Sequence, residues 1–272
     1  MRKYVTFHGK TIRYIKEGNG APVIFLLHGY LETLEVWHEL AKSLSKHFTV
    51  IRMDIPGHGE SEVIGETHSM ELLAEAVHSV LQNENVSSFT LVGHSLGGYV
   101  SLAFLEAFPN LLNGLVLFHS HPFADAEPVK ENREQEIGIV QKGEKRVIVH
   151  TNIPKMFANE NLQTYQDKIE NMRREAMNIP GEGIIAKQKG MIIRKDRSEL
   201  LQNSVLPFML IAGKKDNYIN YDQVIPRIPL PAGGELITLD QSGHIGFVEE
   251  RERAIQALDG FVLKNDPRAN TS

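Results

Sequence analysis

The sequence predicts an α/β fold in which a mostly parallel sheet is flanked by helices and interrupted by one long helical insertion. Three observations lead to this prediction. Short apolar runs recur along the chain, segments of helical periodicity separate them, and the alternation fails between residues 122 and 200. Such apolar runs are typical of strands covered on both faces. Strands that alternate with helices favour a doubly wound parallel sheet.

The regular elements are predicted in chain order. A hairpin over residues 4–7 and 11–15 comes first, because two alternating β-rich runs flank a short glycine-containing turn. Further strands are expected over 23–27, 48–55, 89–92, 115–118, 208–212 and 236–239. Helices are expected over 36–45, 70–81, 96–108 and 247–263, where apolar residues recur at helical spacing.

The stretch from residue 122 to residue 200 is polar and helix-prone, and it falls between two predicted core strands. Helices are expected there over 127–141, 161–177 and 184–193, and only residues 146–149 have the character of a strand. We therefore expect an α/β core formed by residues 1–121 and 201–272. Residues 122–200 are expected to form a helical cap that acts as a lid.

The amino-acid composition argues against several classes of function. Hydrophobic residues make up 42% of the 272 residues and charged residues 23%, as in ordinary soluble globular proteins. The 29 basic and 34 acidic residues give a net charge of −5 without a run of like charges, so neither a nucleic-acid nor a membrane partner is expected. The absence of cysteine excludes thiolate nucleophiles and cysteine-bound metals. Neither a signal peptide nor a membrane-spanning apolar run is visible, so a cytoplasmic location is expected.

The segment Gly93-His94-Ser95-Leu96-Gly97 has the pattern G-x-S-x-G and joins a predicted strand to a predicted helix. A serine on such a turn is held in a strained backbone conformation that exposes its Oγ above the sheet edge. The pattern by itself also occurs by chance, as a tight structural turn. Its placement between strand and helix predicts that Ser95 is a nucleophile.

A hydrolytic serine needs a base, and the base needs a carboxylate that orients it. Where the serine lies on a strand-to-helix elbow, the acid and then the histidine follow it in the chain. His244, in a glycine-rich loop after the last predicted strand, is the expected base. Asp216, in the loop after strand 208–212, is the expected acid. Asp125, which follows strand 115–118, remains the alternative acid.

The remaining site residues are predicted from the loops that follow the strands. The backbone N–H of Tyr30, in the loop after strand 23–27, and that of Leu96 are expected to form an oxyanion hole. No metal is expected, because the two histidines at the end of strand 115–118 lack a third ligand. Phe157 could equally belong to the core of the cap. The residues expected to contact substrate are His28, His94, His121 and Phe157.

These motifs together resemble the α/β-hydrolase superfamily, and in particular its small bacterial serine hydrolases with a helical cap. The resemblance covers nearly all of residues 23–263. It is carried, in order, by His28-Gly29, the loop at residues 54–61, the elbow at Ser95, Gly213 with Asp216, and Gly243-His244. The resemblance implies the α/β-hydrolase fold with an inserted cap and a Ser–Asp–His triad. A serine at the elbow excludes members that use aspartate as nucleophile, such as haloalkane dehalogenases.

The resemblance implies hydrolysis of a carboxylic ester, a thioester or a lactone through an acyl-enzyme intermediate. No cofactor is required, and the expected partner is a small-molecule ester. Two alternatives stay open: a cofactor-free perhydrolase or haloperoxidase with the same triad, and a ligand receptor that keeps a slow residual triad. Acyl specificity, alcohol specificity and oligomeric state are not assigned by these motifs.

Overall fold

The computed structural model describes residues 1–266 and 268. Eight strands form one sheet in the order β1-β2-β4-β3-β5-β6-β7-β8. Strand β2 is antiparallel to β1 and β4, and the other neighbouring strands are parallel. The predicted fold class, a mostly parallel sheet flanked by helices, is confirmed. The strands are β1 (Arg2–Phe7), β2 (Lys10–Glu17), β3 (Val23–Leu27), β4 (Thr49–Met53), β5 (Phe89–His94), β6 (Leu112–Phe118), β7 (Phe208–Gly213) and β8 (Glu235–Leu239).

The apolar core forms two layers, one on each face of the sheet. Alternate residues of a strand point to opposite faces. In β3, Phe25 and Leu27 join the layer that includes helices α2 (Met70–Asn83) and α3 (Leu96–Ala107). Ile24 and Leu26 join the opposite layer, with α1 (His38–Leu44) and α11 (Arg251–Lys264). Burial on both faces explains why the strand sequences are apolar throughout.

Four α-helices lie within residues 122–197, where the sequence predicts most of the cap. They are α4 (Glu127–Gln141), α5 (Lys145–Lys155), α6 (Gln166–Asn178) and α7 (Gly181–Ile192). Helix α4 packs against α5 and α7, and α5 packs against α6. Helix α7 also contacts the loop after β4, because the buried Lys187 Nζ donates a hydrogen bond to the carbonyl oxygen of Pro56.

Two predicted elements are wrong. Residues 146–149, which have the character of a strand, lie inside α5. Ile148, Val149 and Ile153 are the buried apolar residues of this helix, so packing at helical spacing overrides the strand preference of β-branched side chains. The single helix expected over 247–263 is instead two helices, α10 (Gly246–Glu249) and α11, because Glu250 adopts non-helical backbone angles.

The short helices α8 (Ser198–Gln202) and α9 (Tyr221–Val224) flank β7 in the chain. Within residues 1–266 and 268, no helix combines the length and the apolar character that crossing a bilayer requires.

Candidate active site

The carboxyl ends of the parallel strands meet at one edge of the sheet, and the predicted site residues lie there. Ser95 follows β5, Asp216 follows β7 and His244 follows β8. The Tyr30 loop follows β3, next to β5 in the sheet. Ligands of open α/β sheets bind at this edge, so residues far apart in sequence are brought into one site.

Ser95 occupies a tight turn between β5 and α3. Its φ of 49° and ψ of −113° lie in a region that residues with a side chain rarely adopt. The Ser95 N–H donates to the carbonyl of Phe118 at 3.0 Å, which fixes the turn against β6. A Cβ at Gly97 would collide with the backbone carbonyl of Leu27, so the close approach of α3 to β3 requires glycine. The turn places Ser95 in the wall of a cavity of about 350 Å³.

His244 lines the same cavity, and its Nδ1 lies 2.7 Å from Asp216 Oδ2. The other carboxylate oxygen, Oδ1, accepts hydrogen bonds from the backbone N–H groups of Tyr218 at 2.7 Å and Ile219 at 2.9 Å. Burial alone would raise the pKa of Asp216, but the charge and hydrogen bond of His244 hold that pKa below its ordinary value. Asp216 is therefore ionised at neutral pH and fixes the orientation of the His244 ring.

Asp125 has other partners. Its carboxylate accepts from Arg133 Nε at 2.6 Å and forms an ion pair with Arg194 Nη1 at 2.7 Å. Burial would raise the pKa of Asp125, but the two guanidinium groups lower it. The structure therefore brings Asp216, rather than Asp125, to the imidazole of His244.

Two backbone N–H groups close to Ser95 in the chain or in the sheet, those of Tyr30 and Leu96, have no acceptor in the described part of the chain. Next to Tyr30, the N–H of Gly29 donates to Glu32 Oε2 at 2.5 Å and that of Leu31 donates to His58 Nε2 at 3.3 Å. Between them, the Tyr30 N–H has no acceptor in the described part of the chain. Leu96 is the first residue of α3, and the first N–H groups of a helix lack intrahelical acceptors. Both groups are free to bind an oxygen.

A buried contact between Glu32 and His94, which the sequence analysis did not predict, supports this arrangement. His94 Nδ1 lies 2.9 Å from Glu32 Oε2, and His94 Nε2 lies 2.7 Å from the carbonyl oxygen of His244. Burial would raise the pKa of Glu32, but His94 and the Gly29 N–H lower it. The carboxylate of Glu32 and the carbonyl of His244 thus hold the two nitrogens of the His94 ring in place. Glu32 thus connects the Tyr30 loop to the His244 loop, and no sequence motif singles it out.

His119 also supports the site, in a role that the sequence analysis did not predict. Its buried ring lies between the end of β7 and the loop after β8. The Gly246 N–H donates to its Nε2 at 3.0 Å, and its Nδ1 lies 3.0 Å from the Gly213 nitrogen. Burial lowers the pKa of His119 well below its ordinary value. His119, Asp216 and His244 are close enough to share a cation. However, backbone N–H groups already point at both His119 nitrogens, so this geometry favours a role in holding the loops.

Four residues were predicted to contact substrate, and the structure places two of them at the cavity. His121 and His94 line it, although His94 is held by the hydrogen bonds described above. His28 does not: it is fully buried, with Nδ1 2.8 Å from the carbonyl of Gly29 and Nε2 accepting from Ile55 N–H at 3.0 Å. The prediction that His28 contacts substrate is therefore wrong, and His28 instead connects the loop after β3 to the loop after β4.

Phe157 is also absent from the residues that line the cavity. It is fully buried in the apolar layer, and its ring lies 5.6 Å from that of Tyr165. The prediction that it contacts substrate is replaced by the alternative, a core residue. Other residues of the segment 122–200 do line the cavity. They are Phe123, Ala124, Asp125, Ala126, Val129, Arg133, Met156 and Met191.

Comparison with known proteins agrees with this architecture. Residues 22–251 match the sequence family described as the alpha/beta hydrolase fold. This chain belongs to the α/β-hydrolase family. A thermophilic esterase from Thermogutta terrifontis, solved with malate bound, superposes with a TM-score of 0.92 at 25% identity, over 98% of this chain and 99% of that one.

Sequence relatives are more distant or partial. The pimeloyl-[acyl-carrier protein] methyl ester esterase of Aeromonas salmonicida is 26% identical over 259 residues, which cover 89% of this chain and 95% of that protein. An uncharacterized protein of Mycobacterium tuberculosis is 34% identical over 115 residues, which are 42% of this chain and 33% of that protein. This chain therefore spans only about a third of the mycobacterial relative.

Proposed function

We propose that the protein is a serine hydrolase that cleaves a carboxylic ester, thioester or lactone through an acyl-enzyme intermediate. Ser95 is the nucleophile, His244 the general base and Asp216 the acid that orients it. One observation carries the proposal: the 2.7 Å contact between His244 Nδ1 and Asp216 Oδ2 lies at the cavity that also contains the strained Ser95. The esterase names of the relatives support the same reaction class.

The reaction follows from these positions. His244 Nε2 removes the proton from Ser95 Oγ, which forms a bond to the carbonyl carbon of the ester. The N–H groups of Tyr30 and Leu96 stabilise the negative charge that develops on the carbonyl oxygen. His244 then gives its proton to the leaving oxygen as the carbon–oxygen bond breaks. A water molecule, deprotonated by His244, releases the acyl group and regenerates Ser95.

The proposal also assigns different roles to the core and to the cap. We assign residues 1–121 and 201–272 to the core that holds the triad, of which residues 267 and 269–272 lie outside the described part, and residues 122–200 to the cap. Cap residues such as Phe123 and Met191 line the cavity, which supports a role of the cap in substrate selection. Residues in this position contact the part of the substrate that extends from Ser95. No cofactor takes part. The cytoplasmic location and the absence of nucleic-acid and membrane partners stay predictions.

A panel of p-nitrophenyl esters of increasing acyl length tests the proposal. We expect turnover by the wild-type protein, and a fall of several orders of magnitude in kcat for Ser95→Ala. Ser120→Ala serves as a matched control, because Ser120 also lies at this edge but donates its Oγ hydrogen bond to the Ser95 carbonyl at 2.8 Å. It should keep far more activity than Ser95→Ala. Equal turnover by wild type and Ser95→Ala would contradict the proposal, and a bound ester that is never cleaved would support the receptor alternative.

A further inference from the structure

We propose that the cavity selects esters whose acyl group ends in a carboxylate, which Arg227 binds together with Arg133 at the part of the cavity wall defined below. The proposal rests on the ester-hydrolase function above and names its substrate class. We define the basic end of the cavity as Tyr99, His121, Phe123, Asp125, Arg133 and Arg227, all of which line it.

The first observation is an unbalanced charge. Asp125 is the one carboxylate that lines the described cavity, and Arg133 and Arg194 both pair with it. Arg227 also lines the cavity and is exposed, and no carboxylate in the described residues lies within ion-pair distance of it. Its guanidinium lies 5.6 Å from the centre of the Phe123 ring. Two guanidinium groups thus pair with Asp125, and the guanidinium of Arg227 lines the same cavity without a carboxylate partner in the described residues, which leaves its charge able to attract a further anion.

Other acidic groups nearby are engaged elsewhere. Glu136 accepts hydrogen bonds from Asn152 Nδ2 at 3.0 Å and from Gln188 Nε2. Asp196 accepts from the backbone N–H groups of Ser198 at 2.8 Å and Ala124 at 3.4 Å. Neither residue lines the cavity. An anion that enters the cavity therefore meets the arginines without an intervening carboxylate other than Asp125.

The second observation is a ring nitrogen at the same end that has no hydrogen-bond partner in the described residues. His121 Nε2 lies 3.4 Å from Tyr99 Oη, and the buried Nδ1 has no hydrogen-bond partner in the described part of the chain. Burial, followed by the positive charges of Arg194 and Arg133, lowers the pKa of His121 to about 3, although Asp125 acts in the opposite direction. The ring is therefore neutral. When the Tyr99 hydroxyl donates to Nε2, the hydrogen lies on Nδ1, which needs an acceptor.

The third observation concerns the distance between Ser95 and this end of the cavity. Tyr99 lies one turn after Ser95 on α3, and its N–H is 3.4 Å from the Ser95 carbonyl oxygen. One helical turn rises about 5.4 Å, which an acyl chain of a few carbons spans. The leaving oxygen must lie at His244, which protonates it. In the proposed orientation the acyl chain extends along α3 toward Tyr99, and a carboxylate at its far end reaches Arg227 and Arg133.

The test compares half-esters with neutral esters of equal acyl length: monoethyl glutarate with ethyl pentanoate, and monoethyl adipate with ethyl hexanoate. Ethanol release gives kcat/KM. We expect the wild-type protein to prefer the half-esters, and Arg227→Gln to lower the ratio of half-ester to neutral-ester kcat/KM by about tenfold, as expected for loss of one charge-assisted hydrogen bond. Arg146→Gln is the matched control, because Arg146 is exposed on α5 and does not line the cavity. It should leave the ratio unchanged.

A binding measurement separates this inference from the proposed function. Ser95→Ala protein is titrated with monoethyl glutarate and ethyl pentanoate, with and without Arg227→Gln. Tighter binding of the half-ester, weakened about tenfold by Arg227→Gln, would support the carboxylate site even if the esters are not hydrolysed. Hydrolysis through Ser95 with no preference for half-esters, or a ratio that Arg227→Gln leaves unchanged, would overturn the inference and leave the proposed function standing.

Discussion

Asp216→Asn tests the acid of the proposed triad. In the amide, one end is an acceptor and the other a donor. The N–H groups of Tyr218 and Ile219, at 2.7 and 2.9 Å from Oδ1, require the amide oxygen to occupy that position. Reversing the amide would set its NH2 group against both N–H groups, at a cost of about 2 kcal/mol or more. The NH2 group therefore faces His244 Nδ1, at the 2.7 Å position of Oδ2.

An NH2 group at that position forces Nδ1 to be the acceptor and moves the imidazole hydrogen to Nε2. A ring in this tautomer cannot accept the proton of Ser95. We expect kcat to fall by roughly 10⁴, the size of the same change in the chymotrypsin triad, which corresponds to about 5 kcal/mol in the barrier. The assay is p-nitrophenyl ester hydrolysis, with circular dichroism to confirm that the variant folds.

Asp125→Asn is the matched control, because Asp125 is the other acid that the sequence offers. Its partners are Arg133 and Arg194, so its effect on kcat should be far smaller at a temperature where the variant is folded. Two results would refute the reasoning: Asp216→Asn that keeps kcat within tenfold of wild type, or a larger loss of kcat in Asp125→Asn.

Three further predictions concern the surroundings of the triad. Glu32→Gln removes the buried carboxylate that accepts from the Gly29 N–H and contacts the His94 ring, and should lower the free energy of unfolding by roughly 3 kcal/mol in urea denaturation. A loss below about 0.5 kcal/mol, the size typical of surface substitutions, would contradict this prediction. The pKa values of His68 and His121 are lowered from 6.5 to about 3, first by burial. Below pH 6.5 the unfolded chain binds these protons and the folded chain does not. The free energy of unfolding should therefore fall as the pH is lowered from 6.5 toward 3, by up to about 1.4 kcal/mol per pH unit for each histidine. A free energy of unfolding that does not change over this pH range would count against buried neutral rings. Met191→Ala enlarges the cavity and should shift the preferred p-nitrophenyl ester to a longer acyl chain, whereas Met172→Ala, buried away from the cavity, should not; an identical shift in both variants would exclude a direct role for Met191.

Much of the fold could be predicted from sequence because its signals are local. Strands buried on both faces are apolar throughout, and the glycine-flanked Ser95 needs only its own neighbours to form the turn. Residues 146–149 show where local preference fails. Their β-branched side chains favour a strand, but the buried residues Ile148, Val149 and Ile153 lie on α5, so tertiary packing decides the outcome.

The site could be predicted only as far as its motifs extend. The bond between Asp216 and His244 agrees with the order of residues expected for an elbow serine. Glu32 could not be predicted, because its partner His94 is 62 residues away and neither lies in a pattern that links them. Phe157 illustrates the reverse error: a large apolar side chain in the insertion fits a substrate pocket and a core equally well, and only the packing distinguishes them.

The most direct measurement of the central claim is covalent labelling with a fluorophosphonate probe, followed by peptide mass spectrometry. Among the serines of residues 1–266, Ser95 alone combines a strained elbow, a base held by a carboxylate and two free N–H groups. The account predicts a single adduct on Ser95 in the wild-type protein and none in a folded Ser95→Ala variant. An adduct on another serine, or undiminished labelling of Ser95→Ala, would contradict it.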